Sequence, residues 1–192
     1  MYNYKLQIQY DGGRYDGWQR LGKDSSSNTI EVKIKEIIKK MTGEDIDIYV
    51  GCRTEKGVHA LAQTANFKLN DRYQAIEIKN YLNRYLPRDI AINHVEEVDE
   101  RFHSQLNAKG KTYVYKLDMA NVADVFTRKY AYHTFDVPDI SAMRTAAQYF
   151  IGSQDFKAFT TAKKSKSTVK NVKSVDIYVE AVSYTHLRAH ET

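Results

Sequence analysis

Apolar and polar side chains alternate at the start of the chain. Tyr4, Leu6, Ile8 and Tyr10 fall on one side, and Lys5, Gln7 and Gln9 on the other. A period of two predicts a half-buried strand over residues 3–10. The glycine-rich run DGGRYDGW follows and reads as a turn region. The period then lengthens. Ile30, Ile34, Ile37, Ile38 and Met41 recur at helical spacing, with Asn28, three residues before Glu31, marking the start and Gly43 the stop. Ile46, Ile48 and Val50 alternate again, as do Ala65, Phe67 and Leu69 beyond a short loop. Ile78, Tyr81, Leu82, Tyr85 and Leu86 form a second helical face closed by Pro87, and residues 89–98 form a further strand.

The order β-α-β-β-α-β is that of the ferredoxin-like unit. The pattern then restarts. KTYVYKL (111–117) alternates as a strand, and Met143, Ala146, Ala147, Phe150 and Ile151 make a helical face ending at Gly152. VDIYVEAV (175–182) is another strand. The reading is an α+β chain of one and a half repeats. Its first domain is residues 1–104 and its partial second domain residues 105–182. The last stretch, SYTHLRAHET (183–192), shows neither period. It resembles a translated library adapter and is read as a non-native tail, outside functional reasoning. His186 and His190 within it are therefore not read as metal ligands.

Composition narrows the class. The chain has 192 residues, 42% of them hydrophobic, which is enough to bury a core and excludes a disordered chain. A net charge of +5 and a pI near 9.1 suit a polyanionic partner and equally an ordinary basic protein. The single cysteine, Cys52, excludes an internal disulfide framework and fits a reducing cytoplasm. No signal peptide or membrane-length apolar run is read, so the expected location is cytoplasmic with no membrane partner.

The chemistry concentrates in GCRTEKGVHA, residues 51–60, between two predicted strands. Arg53 stands two residues from Glu55, where it can pair with the carboxylate and keep it ionised. An ionised carboxylate is a standard covalent nucleophile towards sugar carbons. Gly51 and Gly57 permit unusual backbone angles and close approach of a ligand. The same residues also describe a hairpin connection with a surface ion pair.

Five ordered segments widen the view: YDGGRYDGWQR (10–20), GCRTEKGVHALAQTANF (51–67), LPRDIAI (86–92), RFHSQLNAKGKTYVY (101–115) and AAQYFIGSQDFKAF (146–159). Together they resemble the bacterial tRNA pseudouridine synthase A family, over roughly residues 2–182. The resemblance implies two ferredoxin-like halves sharing an antiparallel sheet, the second half incomplete here. It implies isomerisation of uridine to pseudouridine in the anticodon arm of tRNA, no cofactor, no metal, and a homodimer at full length. Glu55 falls in the nucleophile's position, and Arg53 matches the arginine that pairs with it and helps displace the base. Tyr113 matches the tyrosine that packs on the flipped uracil. His59, Lys56, Lys163, Lys164 and Lys166 are assigned to tRNA binding, the last three within a stretch from Lys157 to Lys173 that holds no acidic residue.

The chain departs from the family pattern in places. Glu55 replaces the family aspartate, Lys56 replaces a small residue, and Gln105 stands at an arginine position after Phe102 and His103. Two rival readings follow: a catalytically inactive tRNA-binding paralogue, and a ferredoxin-like module for another ligand or partner.

Overall fold

The computed structural model describes residues 1–19, 27–160, 167–180 and 184–191. The chain divides into two compact units, Met1–Ala108 and Lys109–Thr192. The architecture is mixed α and β, and all strand pairs but one are antiparallel.

In the first unit the strands are β1 (Tyr2–Tyr10), β2 (Ile48–Val50), β3 (Ala60–Leu69) and β4 (Ile90–Val98), with helices α1 (Ile30–Thr42) and α2 (Ala75–Tyr85). The sheet order is β2-β3-β1-β4. The alternation in β1 does what its period requires: Tyr4, Leu6, Ile8 and Tyr10 are all buried in one cluster with Ile30, Ile34, Ile37 and Ile38 of α1 and Ile78 and Leu82 of α2. Each fully buried side chain of this size contributes on the order of 1.5–3 kcal/mol. Helix α1 starts one residue later than Asn28 suggested. Thr29 is the cap and its hydroxyl accepts from the Val32 amide, while the Asn28 amide side chain donates to the Arg14 carbonyl at 2.7 Å. Gly43 closes the helix at φ +78°, a backbone that favours glycine.

The other face of this sheet is not left to solvent throughout. Asn3 and Asn66 are buried side by side, the Asn66 amide donating to Asn3 Oδ1 at 2.9 Å. Asn3 donates in turn to the carbonyls of Asp99 and Phe102, both at 2.9 Å, and Asn66 Oδ1 accepts from the Ser104 amide at 2.8 Å. Buried amides must be paired, and these pairs pin residues 99–104 across the sheet.

The second unit holds β5 (Lys111–Asp118), β6 (Tyr132–His133), α3 (Ile140–Gln148), β7 (Gly152–Asp155), β8 (Val169–Glu180) and β9 (Tyr184–Glu191), in the order β6-β5-β9-β8-β7. Asp139 caps α3 by accepting from the Ser141 and Ala142 amides, and the Arg144 guanidinium ties the helix to the Ile177 carbonyl of β8. The helix stops at Gln148, short of the Gly152 expected from periodicity, because Gly152 at φ +91° already begins β7.

Residues 184–191 correct the expectation that the last stretch forms no element. They run as β9 between β5 and β8, antiparallel to both. A slot between two strand edges is filled by main-chain hydrogen bonds, and a stretch without proline or glycine supplies them whatever its side-chain pattern. Among the described residues no helix is long and apolar enough to cross a membrane.

Candidate active site

Residues 51–59 connect β2 to β3, and their shape is set from two sides. From the sheet, the Gly51 amide donates to the Thr64 carbonyl at 2.8 Å. Gln63 donates to the Cys52 carbonyl at 2.5 Å and to the Tyr10 hydroxyl at 3.4 Å. The Tyr10 hydroxyl shares a 2.8 Å hydrogen bond with Thr54 Oγ1. Burial pushes the Tyr10 phenol above its ordinary value, so it stays a neutral partner here.

From the other side comes the glycine-rich turn, residues 11–18. The Trp18 amide donates to the Thr54 carbonyl at 3.0 Å, and the Gly57 amide to the Tyr15 carbonyl at 3.3 Å. His59 Nδ1 lies 3.2 Å from the Gly12 amide and 2.9 Å from Asp11 Oδ1. Two of the three glycines of this turn have a steric reason. A Cβ on Gly12 would lie 2.0 Å from the Val58 carbonyl oxygen. A Cβ on Gly17, at φ +93°, would lie 2.8 Å from the Thr54 carbonyl oxygen and 3.2 Å from the Glu55 carbonyl carbon. Only glycine lets the two backbones approach this closely.

Within the loop, the Val58 amide donates back to the Glu55 carbonyl at 3.2 Å. That closes a β-turn with Gly57 at its third position, where φ is +78°. Glu55 therefore opens a tight turn whose far side is braced, and its side chain is exposed.

Of the residues singled out by the sequence, the loop brings together Arg53, Glu55, Lys56 and His59. Their pairings differ from those anticipated. Arg53 is exposed, and among the described residues no ion pair joins it to Glu55. Lys56 pairs with Asp16 at 2.8 Å, not with Glu55, and this bond holds its ammonium above the usual lysine range. His59 is half-buried and directed by Asp11 and Gly12. Tyr113 lies in the second unit on β5, half-buried, with the Lys111 ammonium 5.0 Å from its ring centroid. Lys163, Lys164 and Lys166 lie outside the described residues; Lys157, Lys170 and Lys173 of the same stretch are exposed.

The segment after β4 also reaches the loop. A Cβ on Gly51 would be 3.4 Å from the Ser104 carbonyl oxygen, so residues 102–104 run beside the loop's first residue. His103 packs on Tyr49 of β2 at 4.5 Å between ring centroids, and Gln105 is exposed. Sequence reasoning missed Asp11 and Asp16 as supports of this loop. The signal available for Asp11 and Asp16 was their place within the glycine-rich turn.

An exposed carboxylate and guanidinium stand on a loop that an adjoining glycine-rich turn braces, at the end of an α+β sheet. The chain belongs to the tRNA pseudouridine synthase family, whose model matches residues 7–107. Similar relatives include tRNA pseudouridine synthase A 2 of Bacillus cereus, 48% identical over 183 residues, covering 94% of this chain and 74% of the relative. The tRNA pseudouridine synthase A of a Bacillus species is 48% identical over 178 residues, covering 92% and 72%. The tRNA pseudouridine synthase A 1 of Clostridium tetani is 45% identical over 179 residues, again covering 92% and 72%.

Proposed function

We propose that this protein isomerises uridine to pseudouridine in the anticodon arm of tRNA, with Glu55 as the attacking carboxylate. The observation that carries the reading is the exposed Glu55 at the corner of a turn braced by residues 11–18 through Gly12 and Gly17. Bracing of this kind holds a reacting group still, which is where positional catalysis is won.

The chemistry balances without an external reagent. The Glu55 carboxylate attacks the nucleotide at the base or the sugar, and the bond between C1′ and N1 breaks. The detached uracil rotates, C5 bonds to C1′ as the bond to Glu55 breaks and releases the carboxylate, and the C5 proton is lost while N1 gains one. An enzyme acting on a base in this way takes the nucleotide out of its stack. The exposed Arg53 guanidinium, not committed to Glu55, is the group that helps displace the base. Tyr113 provides a stacking surface, and His59, Lys56 and the lysines around residues 163–166 contact tRNA. Contacts to phosphates of this kind weaken with added salt.

The proposal extends to the fold. The two units, each with its own sheet, are ferredoxin-like halves of one family architecture, and the intact enzyme is a homodimer that works in the cytoplasm. Its support is the strand order: β9 sits between β5 and β8 as β3 sits between β1 and β2. Residues 184–191 occupy that slot, as a stretch foreign to the family sequence.

The test is incubation of the protein with an unmodified tRNA anticodon arm, followed by mass spectrometry for pseudouridine after chemical derivatisation. Pseudouridine formation is expected. Tight, salt-sensitive tRNA binding with no product would instead establish the inactive paralogue.

A further inference from the structure

The motif LPRDI places its aspartate at the foot of the turn that braces the Glu55 loop. Asp89 Oδ1 accepts from the Tyr15 hydroxyl at 2.6 Å, and Oδ2 accepts from the Arg14 guanidinium at 2.8 and 2.5 Å. The Asp89 carbonyl accepts from the Asp11 amide at 2.9 Å. One residue thus holds the turn at Asp11, Arg14 and Tyr15, using three acceptor atoms. The pairing is sheltered on one side: Tyr15 is 3% exposed and the Asp89 side chain 16%, whereas Arg14 is 75% exposed. Burial, then the bond to Asp89, pushes the Tyr15 phenol up to about 12, so it remains a donor at any physiological pH.

The anchored turn is the one that braces the loop from the side away from the sheet. The Tyr15 carbonyl receives the Gly57 amide, Asp11 directs His59, Gly12 packs on Val58, Asp16 holds Lys56, and Gly17 lies against Thr54. We propose that Asp89 is a positioning residue for the Glu55 loop, acting through Tyr15 and Arg14 on the turn at residues 11–18. The proposal rests on the reading of Glu55 as the reacting group. Asp89 itself touches no substrate in it. Loss of one acceptor atom loosens the turn, and the loop beyond it loses its fixed geometry while the sheet does not.

Asp89→Asn tests this in the full chain, since asparagine keeps the shape and the main-chain bond but offers one side-chain oxygen in place of two. Tyr15→Phe removes the donor from the other end. Three readouts are taken on parent and variants: amide exchange by NMR, the emission of Trp18, which is the sole tryptophan, and kcat and KM for the tRNA arm. In both variants the Trp18 and Gly57 amides are expected to exchange at least about tenfold faster, with amides of β1 and β3 unchanged. Trp18 emission is expected to shift to the red. The value of kcat is expected to fall roughly tenfold while KM stays within about twofold, the pattern of a misplaced group and not of lost binding. Unchanged exchange at Trp18 and Gly57 in Asp89→Asn overturns the proposal, as does faster exchange across the whole unit or a loss confined to KM. A parent without activity defeats the reading of Glu55 instead, and the exchange rates then decide the anchoring alone.

Discussion

Gly12→Ala is the sharpest probe of how the Glu55 loop is held. The new Cβ would lie 2.0 Å from the Val58 carbonyl oxygen and 2.7 Å from its carbon, against the 3.4 Å at which ordinary contact begins. Both are main-chain atoms, so no side chain can swing aside, and the loop must move by about 1.4 Å to relieve the clash. Val58 cannot move alone, because its amide is bonded to the Glu55 carbonyl. A misplacement of about 1 Å costs about 10²-fold in rate, so turnover is expected to fall by roughly that factor or more. Overpacking also costs stability, about 1–3 kcal/mol. The control is Gly43→Ala, at the end of α1, where φ is +78° and no atom lies within 4 Å of the new Cβ. That change costs roughly 1–2 kcal/mol in backbone strain and nothing at the loop. The assay is pseudouridine formation at saturating tRNA arm, well below the melting temperature of each variant. Gly12→Ala retaining turnover within about threefold of the parent would refute the reasoning, as would an equal loss in Gly43→Ala.

Three further outcomes follow. Glu55→Asp withdraws the carboxylate by about 1.5 Å, one carbon–carbon bond, and turnover is expected to fall at least about tenfold in a loop braced for glutamate; an inactive parent made active by this change would show that the natural loop does not catalyse. The Tyr15 phenol is raised from 10.0 to about 12 by burial and by its bond to Asp89. A raised folded-state value favours the folded form below pH 10 and is lost as pH rises from 10 to 12, so Tyr15→Phe is expected to flatten the fall in stability across that window; denaturant melts with identical slopes would contradict it. Across residues 109–160 and 167–179 the second unit buries only Ala147, Val172 and Ile177 as apolar side chains, while exposing Phe126, Phe135, Tyr149 and Phe159, each at least 73%. Its strands are expected to exchange amide protons far faster than β1 and β3, and the preparation to aggregate on concentration, whereas equal protection in a monodisperse sample would count against this.

Much of the first unit was legible because one face of each element is buried. The isoleucines of α1 and the alternation of β1 point at the core for a single reason, and Gly43 stops the helix where its backbone requires. The second unit was less legible. Strands β6 and β7 are only two and four residues long, too short to show a period. Strand β9 is placed by main-chain pairing that its side chains do not announce. At the site, the order Arg53–Glu55–His59 marked the loop, but proximity in sequence overstated the Arg53–Glu55 pairing. The partners that hold the loop, Asp11, Asp16 and Asp89, come from elsewhere in the chain. Asp89 in particular reaches the turn through folding alone, at a sequence separation of 75 from Arg14.

The most direct measurement uses tRNA carrying tritium at uridine C5, because formation of the new bond to C1′ must release that atom to water. Parent protein and Glu55→Gln are compared at equal tRNA occupancy, with the variant's melting temperature as the check on folding. Tritium release by the parent, with none above background from folded, tRNA-bound Glu55→Gln, is the result predicted for Glu55 as the attacking carboxylate. Release from Glu55→Gln at the parent's rate would contradict it.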